Sequence, residues 1–243
     1  MKKSNYAGIF IMFVLWYIFS IKVNNDILIP YPNQVFLTMY KQLGSDYFYL
    51  AIFGTIFRLL KGIFYSLLLA TFIALFTTRY KTIDNIFKPI ELFLKSIPTV
   101  SYIIISIIWL GKNNSADLVV FLVVFPILYQ NITYGLTLHN EEQKEVLLIY
   151  PEKYSVVLRK ILLPELLPQL AIGFRSSIAL GFKVCVMAEL LAYSSTGIGR
   201  YLYLARLNLD MTSLIAWSVW VIFIASFFDD FFVRLIKFIE RIN

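Results

Sequence analysis

The residues with the most chemical potential sit inside an apolar run, "AIGFRSSIALGFKVCVMAELLAY", residues 171–193. It contains Arg175, Lys183 and Glu189. A charged group at membrane depth costs about 2.5–3.5 kcal/mol and as a rule faces a cavity or a partner. Lys183 is the most central of the three, and two readings stay open for it. It can line a path and attract an anionic solute, or it can be paired or snorkel to the interface. Arg175 and Glu189 lie nearer opposite ends, where pairing or snorkelling is the ordinary role. Asp229 and Asp230 look like a carboxylate pair, but adjacent helical residues point about 100° apart and do not converge. Asp230 and Arg234, four apart, suit a helical ion pair. Cys185 is the only cysteine and His139 the only histidine. Intrachain disulfides, thiolate metal sites and His-x-x-x-His zinc sites are therefore not expected, so no metal and no cofactor is assigned. A phosphate-cradling G-x-x-x-x-G-K-[ST] does not occur.

The elements that must hold these residues are helices in lipid. The 243-residue chain is 59% hydrophobic and 15% charged, against about a quarter charged in soluble domains. Apolar runs near 6–23, 50–77, 92–110, 118–138, 169–192 and 212–235 are each long enough to span a bilayer. The fold expected is all-α: a polytopic membrane protein of about six transmembrane helices. The first run is too long for a secretory signal and lacks a cleavage site, so it reads as a retained span. With six crossings, Lys2, Lys3, Arg79, Lys81, Lys88, Lys144, Lys153, Arg159, Lys160, Arg234, Lys237 and Arg241 share one side. That excess of Lys and Arg marks the cytoplasm and puts both termini there. The net charge of +7 thus reflects topology, and nucleic acid is not an expected partner.

Small residues recur at helical spacing in two spans: Gly62, Ser66, Ala70 and Ala74, then Gly173, Ser177 and Gly181. Such ladders allow close helix approach in lipid, within one subunit or at a subunit interface. The segment 139–168 between the fourth and fifth spans is different in kind. It reads as two short helices around a turn at Pro151, which can serve as the first residue of the second. In that second helix Tyr154, Val157, Leu158, Ile161 and Leu162 form an apolar stripe. Pro164 is expected to stop it. An amphipathic cytoplasmic helix can lie on the membrane, pack on its own bundle or dock into a partner's groove.

Glu145, Pro151 and Ile161-x-Leu163-Pro164 stand at the spacing E-A-A-x3-G-x9-I-x-L-P. This resembles the cytoplasmic signature of permease subunits of ATP-binding-cassette importers, with Val146 and Leu147 for the alanines and Pro151 for the glycine. The resemblance runs from about Pro30 to the C-terminus and is nearest to the nitrate, sulfonate, taurine and thiamine-precursor branch. It rests on Arg58 and Gly62, on Pro89 and Ile97-Pro98, on Phe125, Pro126, Asn131 and Gly135, and on Arg175, Glu189 and Gly197-Ile198-Gly199. Phe182 stands where that branch usually has Trp.

The resemblance implies one permease domain over 1–243, with a first span and outer segment over 1–49 and a core over 50–243. It implies a bacterial inner membrane location, ATPase subunits in the cytoplasm, an extracytoplasmic substrate-binding protein and a second permease subunit, most simply an identical copy. Glu145, Pro151, Tyr154, Val157, Leu158, Ile161, Leu163 and Pro164 would then contact the ATPase. Arg58 and Glu189 would join Lys183 as candidates for the translocation path. A coupling subunit of an energy-coupling-factor vitamin importer and an intramembrane enzyme are the alternatives. The first lacks its paired Ala-Arg-Gly motifs here, and the second lacks converging polar groups.

Overall fold

A computed structural model of the chain describes residues 3–137 and 141–242. The helices are α1 (Lys3–Val23), α2 (Pro32–Leu43), α3 (Asp46–Thr77), α4 (Lys81–Ser96), α5 (Thr99–Gly135), α6 (Glu141–Ile149), α7 (Tyr154–Val157), α8 (Leu163–Leu191), α9 (Ile198–Leu207) and α10 (Met211–Ile242). Among the described residues there is no strand. A backbone in hydrocarbon must satisfy its hydrogen bonds within the segment, and helices do so. Among the described residues, four stretches are long and apolar enough to cross a membrane: Asp46–Thr77, Thr99–Gly135, Ser155–Leu191 and Met211–Phe228.

The two runs expected at 92–110 and 118–138 need correction. Residues 92–96 belong to α4, an amphipathic helix that ends at Ser96. Ile97 precedes Pro98 and takes an extended conformation (φ −72°, ψ 127°), as the proline ring requires of its predecessor. The remainder, 99–110 and 112–135, are two arms of α5 on either side of Gly111, whose φ of 72° and ψ of 179° break the helix. Lys95 Nζ donates to Gln130 Oε1 at 3.0 Å. A straight α5 would carry residue 130 about 45 Å from residue 99, so the second arm returns alongside the first. The positive φ is what a non-glycine residue would resist. The ring of Phe87 on α4 confirms the reversal by meeting Phe125 and Tyr129 near the end of the second arm.

The main core lies between α3, the second arm of α5 and α8. Gly62 lies so close to Val120 that a Cβ there would sit 2.6 Å from Val120 Cγ1. Ser66 Oγ donates to Gly62 O and Phe121 O, both at 2.9 Å, and Ala70 and Ala74 are fully buried. Gly173 faces Asn131, and Gly181 faces Leu59 and Val124. Ser177 is buried beside them. Both small-residue ladders therefore pack helices within this chain. A smaller cluster joins α2 and α10 through Val35, Met39 and Ala216, and Trp220 Nε1 donates to Gln42 Oε1 at 3.0 Å.

The segment 139–168 also departs from expectation. Pro151 lies in the connection after α6, and the next helix starts only at Tyr154. Pro164 does not stop that helix. A π-helical turn over Leu158–Leu162 shifts the register, with Leu163 N–H reaching Leu158 O, and α8 continues from Leu163. Pro164 has no N–H to offer and clashes with a carbonyl four residues back in an α-helix. One wider turn absorbs both problems. Gly62→Val is expected to destabilise the chain by about 1–3 kcal/mol through overpacking against Val120, read as a lowered unfolding midpoint in detergent.

Candidate functional site

At the end of the bundle nearest Gly111, three elements converge on one carboxylate. Glu189 of α8 is fully buried. Its Oε1 accepts from Arg58 Nη1 of α3 at 2.7 Å. Its Oε2 accepts from Thr55 Oγ1 at 2.8 Å and from Gly199 N–H of α9 at 3.0 Å. Arg58 spends its other donors on the same neighbourhood: Nη1 on Thr196 O at 3.1 Å, Nη2 on Thr196 Oγ1 at 2.7 Å, Nε on Asn113 O at 3.3 Å. Thr55 Oγ1 in turn accepts from Ile198 N–H at 2.9 Å. Asn113 and Lys112 hold the following loop through Ser195 and Ser194.

The loop can approach only because of two glycines. Gly197 has φ 107°, and a Cβ there would fall 2.4 Å from the Glu189 carboxylate. A Cβ on Gly199 would fall 2.4 Å from Glu189 Cβ and 2.5 Å from Leu190 N. The G-I-G triplet is therefore a seat for the acid. Arg58 and Glu189, both named as path candidates, form a buried pair that ties α3, α5, α8 and α9 together.

Lys183 is not part of this network. It lies six residues from Glu189, about 9 Å along α8, and is exposed. Among the described residues it has no hydrogen bond or ion pair. It shares an exposed stripe of α8 with Ser176, Ala179, Leu180 and Met187. Arg175 is exposed on the same helix.

The apolar stripe of the 139–168 segment also lands differently from expectation. Leu162 is buried, and Val157 and Leu158 pack against the chain's own core. Ile161 is half-buried, while Leu163 and Pro164 are exposed. The uncovered apolar side chains are on and just after α6: Val146, Leu148 at 82% exposure, Ile149 at 69% and Tyr150 at 71%. Glu145 is exposed beside them. The side chains of Tyr154, Asp229 and Asp230, and all of His139, lie outside the described residues.

Residues 62–240 match the family described as the binding-protein-dependent transport system inner membrane component. The chain belongs to that family. It is a permease component of the ATP-binding-cassette importer type. The putative aliphatic sulfonates transport permease protein SsuC of Bacillus subtilis is 23% identical over 93% of this chain and 82% of its own. The taurine transport system permease protein TauC of Escherichia coli is 21% identical over 76% and 70%. The bicarbonate transport system permease protein CmpB of Synechococcus elongatus is 22% identical over 97% and 88%. Among solved structures, the MetNI methionine ABC transporter in an inward-facing conformation has the same fold. Its TM-score is 0.58 at 16% identity, covering 76% of this chain and 94% of that one.

Sequence reasoning missed Thr55, Thr196 and Asn113, whose types are common and whose partners lie 55 to 143 residues away. It had a signal for the pair itself, since an acid and a base in separate spans are each costly until joined. Removing one member of a buried pair costs about 3–5 kcal/mol, because the other charge is stranded. Arg58→Met and Glu189→Leu are each expected to lower stability in detergent by that order. The double variant is expected to recover a substantial part. A double variant no better than the sum of the singles would show that the two charges are not coupled.

Proposed function

We propose that this chain forms half of the translocation path of an ATP-driven importer for a small anionic solute. The observation that carries this reading is the set of apolar side chains around α6, uncovered by anything in the chain and adjoining the permease signature at Glu145. Four neighbouring residues with most of their apolar surface in water are a docking face. A groove on a separate ATPase subunit would bury them. The chain carries no nucleotide-cradling loop of its own, so work must enter from such a partner.

In this reading α1, α3, the end of α4 together with the first arm of α5, the second arm of α5, α8 and α10 cross the membrane, the termini lie in the cytoplasm, and the path forms between two copies. An extracytoplasmic binding protein delivers the solute at the end where Glu189 is buried. ATP contacts that differ between two arrangements bias the equilibrium and open the path to one side and then the other. Lys183 supports the solute class. It is an unpaired cation at membrane depth on an exposed face of α8, and a symmetric pair of copies would present two. The names of three relatives point the same way, since sulfonates, taurine and bicarbonate all carry an anionic group.

Replacing Leu148 or Ile149 by Asp is expected to reduce ATPase subunit recovered with the tagged permease about tenfold or more, as the loss of a buried apolar side chain predicts. Undiminished recovery would overturn the docking face. Lys183→Met is expected to lower solute uptake more than tenfold, the order of a lost charged hydrogen bond, with the complex intact. Normal uptake would remove Lys183 from the path while leaving the docking face standing.

A further inference from the structure

The helix between α3 and α5 has four differently made sides. On α4, Lys81, Asp84, Lys88, Glu91 and Lys95 recur at i, i+3, i+7, i+10 and i+14 and form one charged edge. Ile83, Ile86, Ile90 and Phe93 repeat that spacing two positions later. Two positions are about 200° of helix, so this apolar edge faces nearly the other way. Phe87 and Leu94 lie on the flank between the two edges and pack against the chain's core. The remaining flank, with Thr82, Asn85 and Pro89, is exposed. Among the described residues nothing covers the apolar edge, and Ile86 and Phe93 are both 64% exposed.

The ring of Phe87 meets that of Tyr129 at 4.7 Å between centroids, and Lys95 Nζ reaches Gln130 at 3.0 Å. Those two α4 residues are about 12 Å apart along their helix, yet their partners are adjacent in α5. α4 therefore crosses α5 rather than running beside it. The crossing is at the level where α3 ends, since Tyr129 OH donates to Thr77 Oγ1 at 3.1 Å. A helix laid across the end of a span sits at the boundary of the bilayer. Its charges are unevenly displayed there. Asp84 and Glu91 are tucked beneath Lys88 and Lys95, the acid side chains 24% and 18% exposed against 64% and 35% for the lysines. Arg79 and Lys81 are exposed as well. Seen from outside, this edge presents cations.

We propose that α4 lies in the headgroup layer of the bilayer and binds anionic phospholipid. Ile83, Ile86, Ile90 and Phe93 insert among the upper acyl chains, while Arg79, Lys81 and Lys88 meet lipid phosphates. That division is the one an interfacial amphipathic helix uses, and exposed cations draw an anionic leaflet. A leaflet satisfies both edges at once, with acyl chains on one and phosphates along the other. The helix enters this layer obliquely. Its last turn passes into the crossing made with the first arm of α5, and Lys95 snorkels back to Gln130. The leaflet is the cytoplasmic one under the orientation proposed above, and the inference rests on that reading for this alone.

The test uses the full chain in nanodiscs of phosphatidylcholine and phosphatidylglycerol, with the buried Cys185 replaced by Ala. Spin labels on Ile86→Cys, Phe93→Cys and Asn85→Cys report depth through their access to oxygen and to a water-soluble nickel complex. The expected result is lipid exposure at Ile86 and Phe93, about 5–10 Å below the phosphates, and water exposure at Asn85. Lys81→Gln combined with Lys88→Gln is expected to lower the preference for spin-labelled phosphatidylglycerol over phosphatidylcholine about fivefold or more, with the unfolding midpoint unchanged. Asp84→Asn is expected to raise that preference. A label at Ile86 as open to water as the one at Asn85 would overturn the placement. So would a disulfide between two copies carrying Ile86→Cys in membranes, since that would make the apolar edge a contact between subunits. An unchanged lipid preference in the double lysine variant would overturn the anionic partner. None of these readouts involves ATPase recovery or uptake, so the function proposed above stands or falls separately.

Discussion

The arrangement depends on one buried carboxylate. Glu189 accepts three hydrogen bonds, from Arg58, Thr55 and Gly199, and these donors come from α3 and α9. In lipid there is no solvent to substitute for a missing partner, so the acid fixes its neighbours as much as they fix it. The guanidinium then extends the constraint to Thr196 and Asn113, and so to the turn that follows Gly111. One end of the bundle is thereby held by directional polar contacts. The interior below it is held by shape, through small residues that let α3, α5 and α8 touch.

The two kinds of contact have different consequences. Polar contacts in a low dielectric are strong and discrete, and breaking one strands a charge. Close packing of small residues is non-directional and tolerates small sliding movements of whole helices. The end at Glu189 thus has a preferred arrangement, while close packing of small residues is compatible with small rigid-body shifts of the helices beneath it. A second ion pair, between Lys61 of α3 and Asp117 of α5, is intermediate, because it is partly exposed and leaves one carboxylate oxygen without a donor among the described residues.

Much of this was legible in the chain and some was not. The apolar runs located α1, α3, α8 and α10 because length and hydropathy are local properties. The small-residue ladders marked the faces that pack. The break at Pro98 and the reversal at Gly111 were harder, since 92–110 is apolar throughout and only backbone angles divide α4 from the arm after it. The stripe from Val157 to Leu162 has the period of an amphipathic helix, but a period cannot say whether the apolar side faces a partner or the chain's own core. Here it faces the core, and the uncovered residues are on α6, where the periodicity is weak. The pairing of Arg58 with Glu189 joins residues 131 apart; two opposite charges in separate apolar runs hint that they need partners, but local pattern does not say that each is the other's.

The π turn at Leu158–Leu162 joins these observations. Pro164 stands at a position that would ordinarily end a helix, yet the stretch Ser155–Leu191 remains continuous over 37 residues, about 55 Å. Had the helix stopped at Pro164, a displacement of the cytoplasmic segment would be absorbed by a flexible joint. With the wider turn in place, Leu162 stays buried in the core and α8 begins without a gap. Under the proposed ATP-driven reading, a push on the segment beside α6 would be delivered along α8 toward Lys183 and onward to Glu189. The far end of that lever is the residue most firmly held by polar contacts, so under that reading the lever would turn about Glu189 rather than translate past it. The largest excursion would then fall at the end nearest α6 and a smaller one at the level of Lys183. That is the geometry needed for a force applied outside the membrane to change the shape of a path within it.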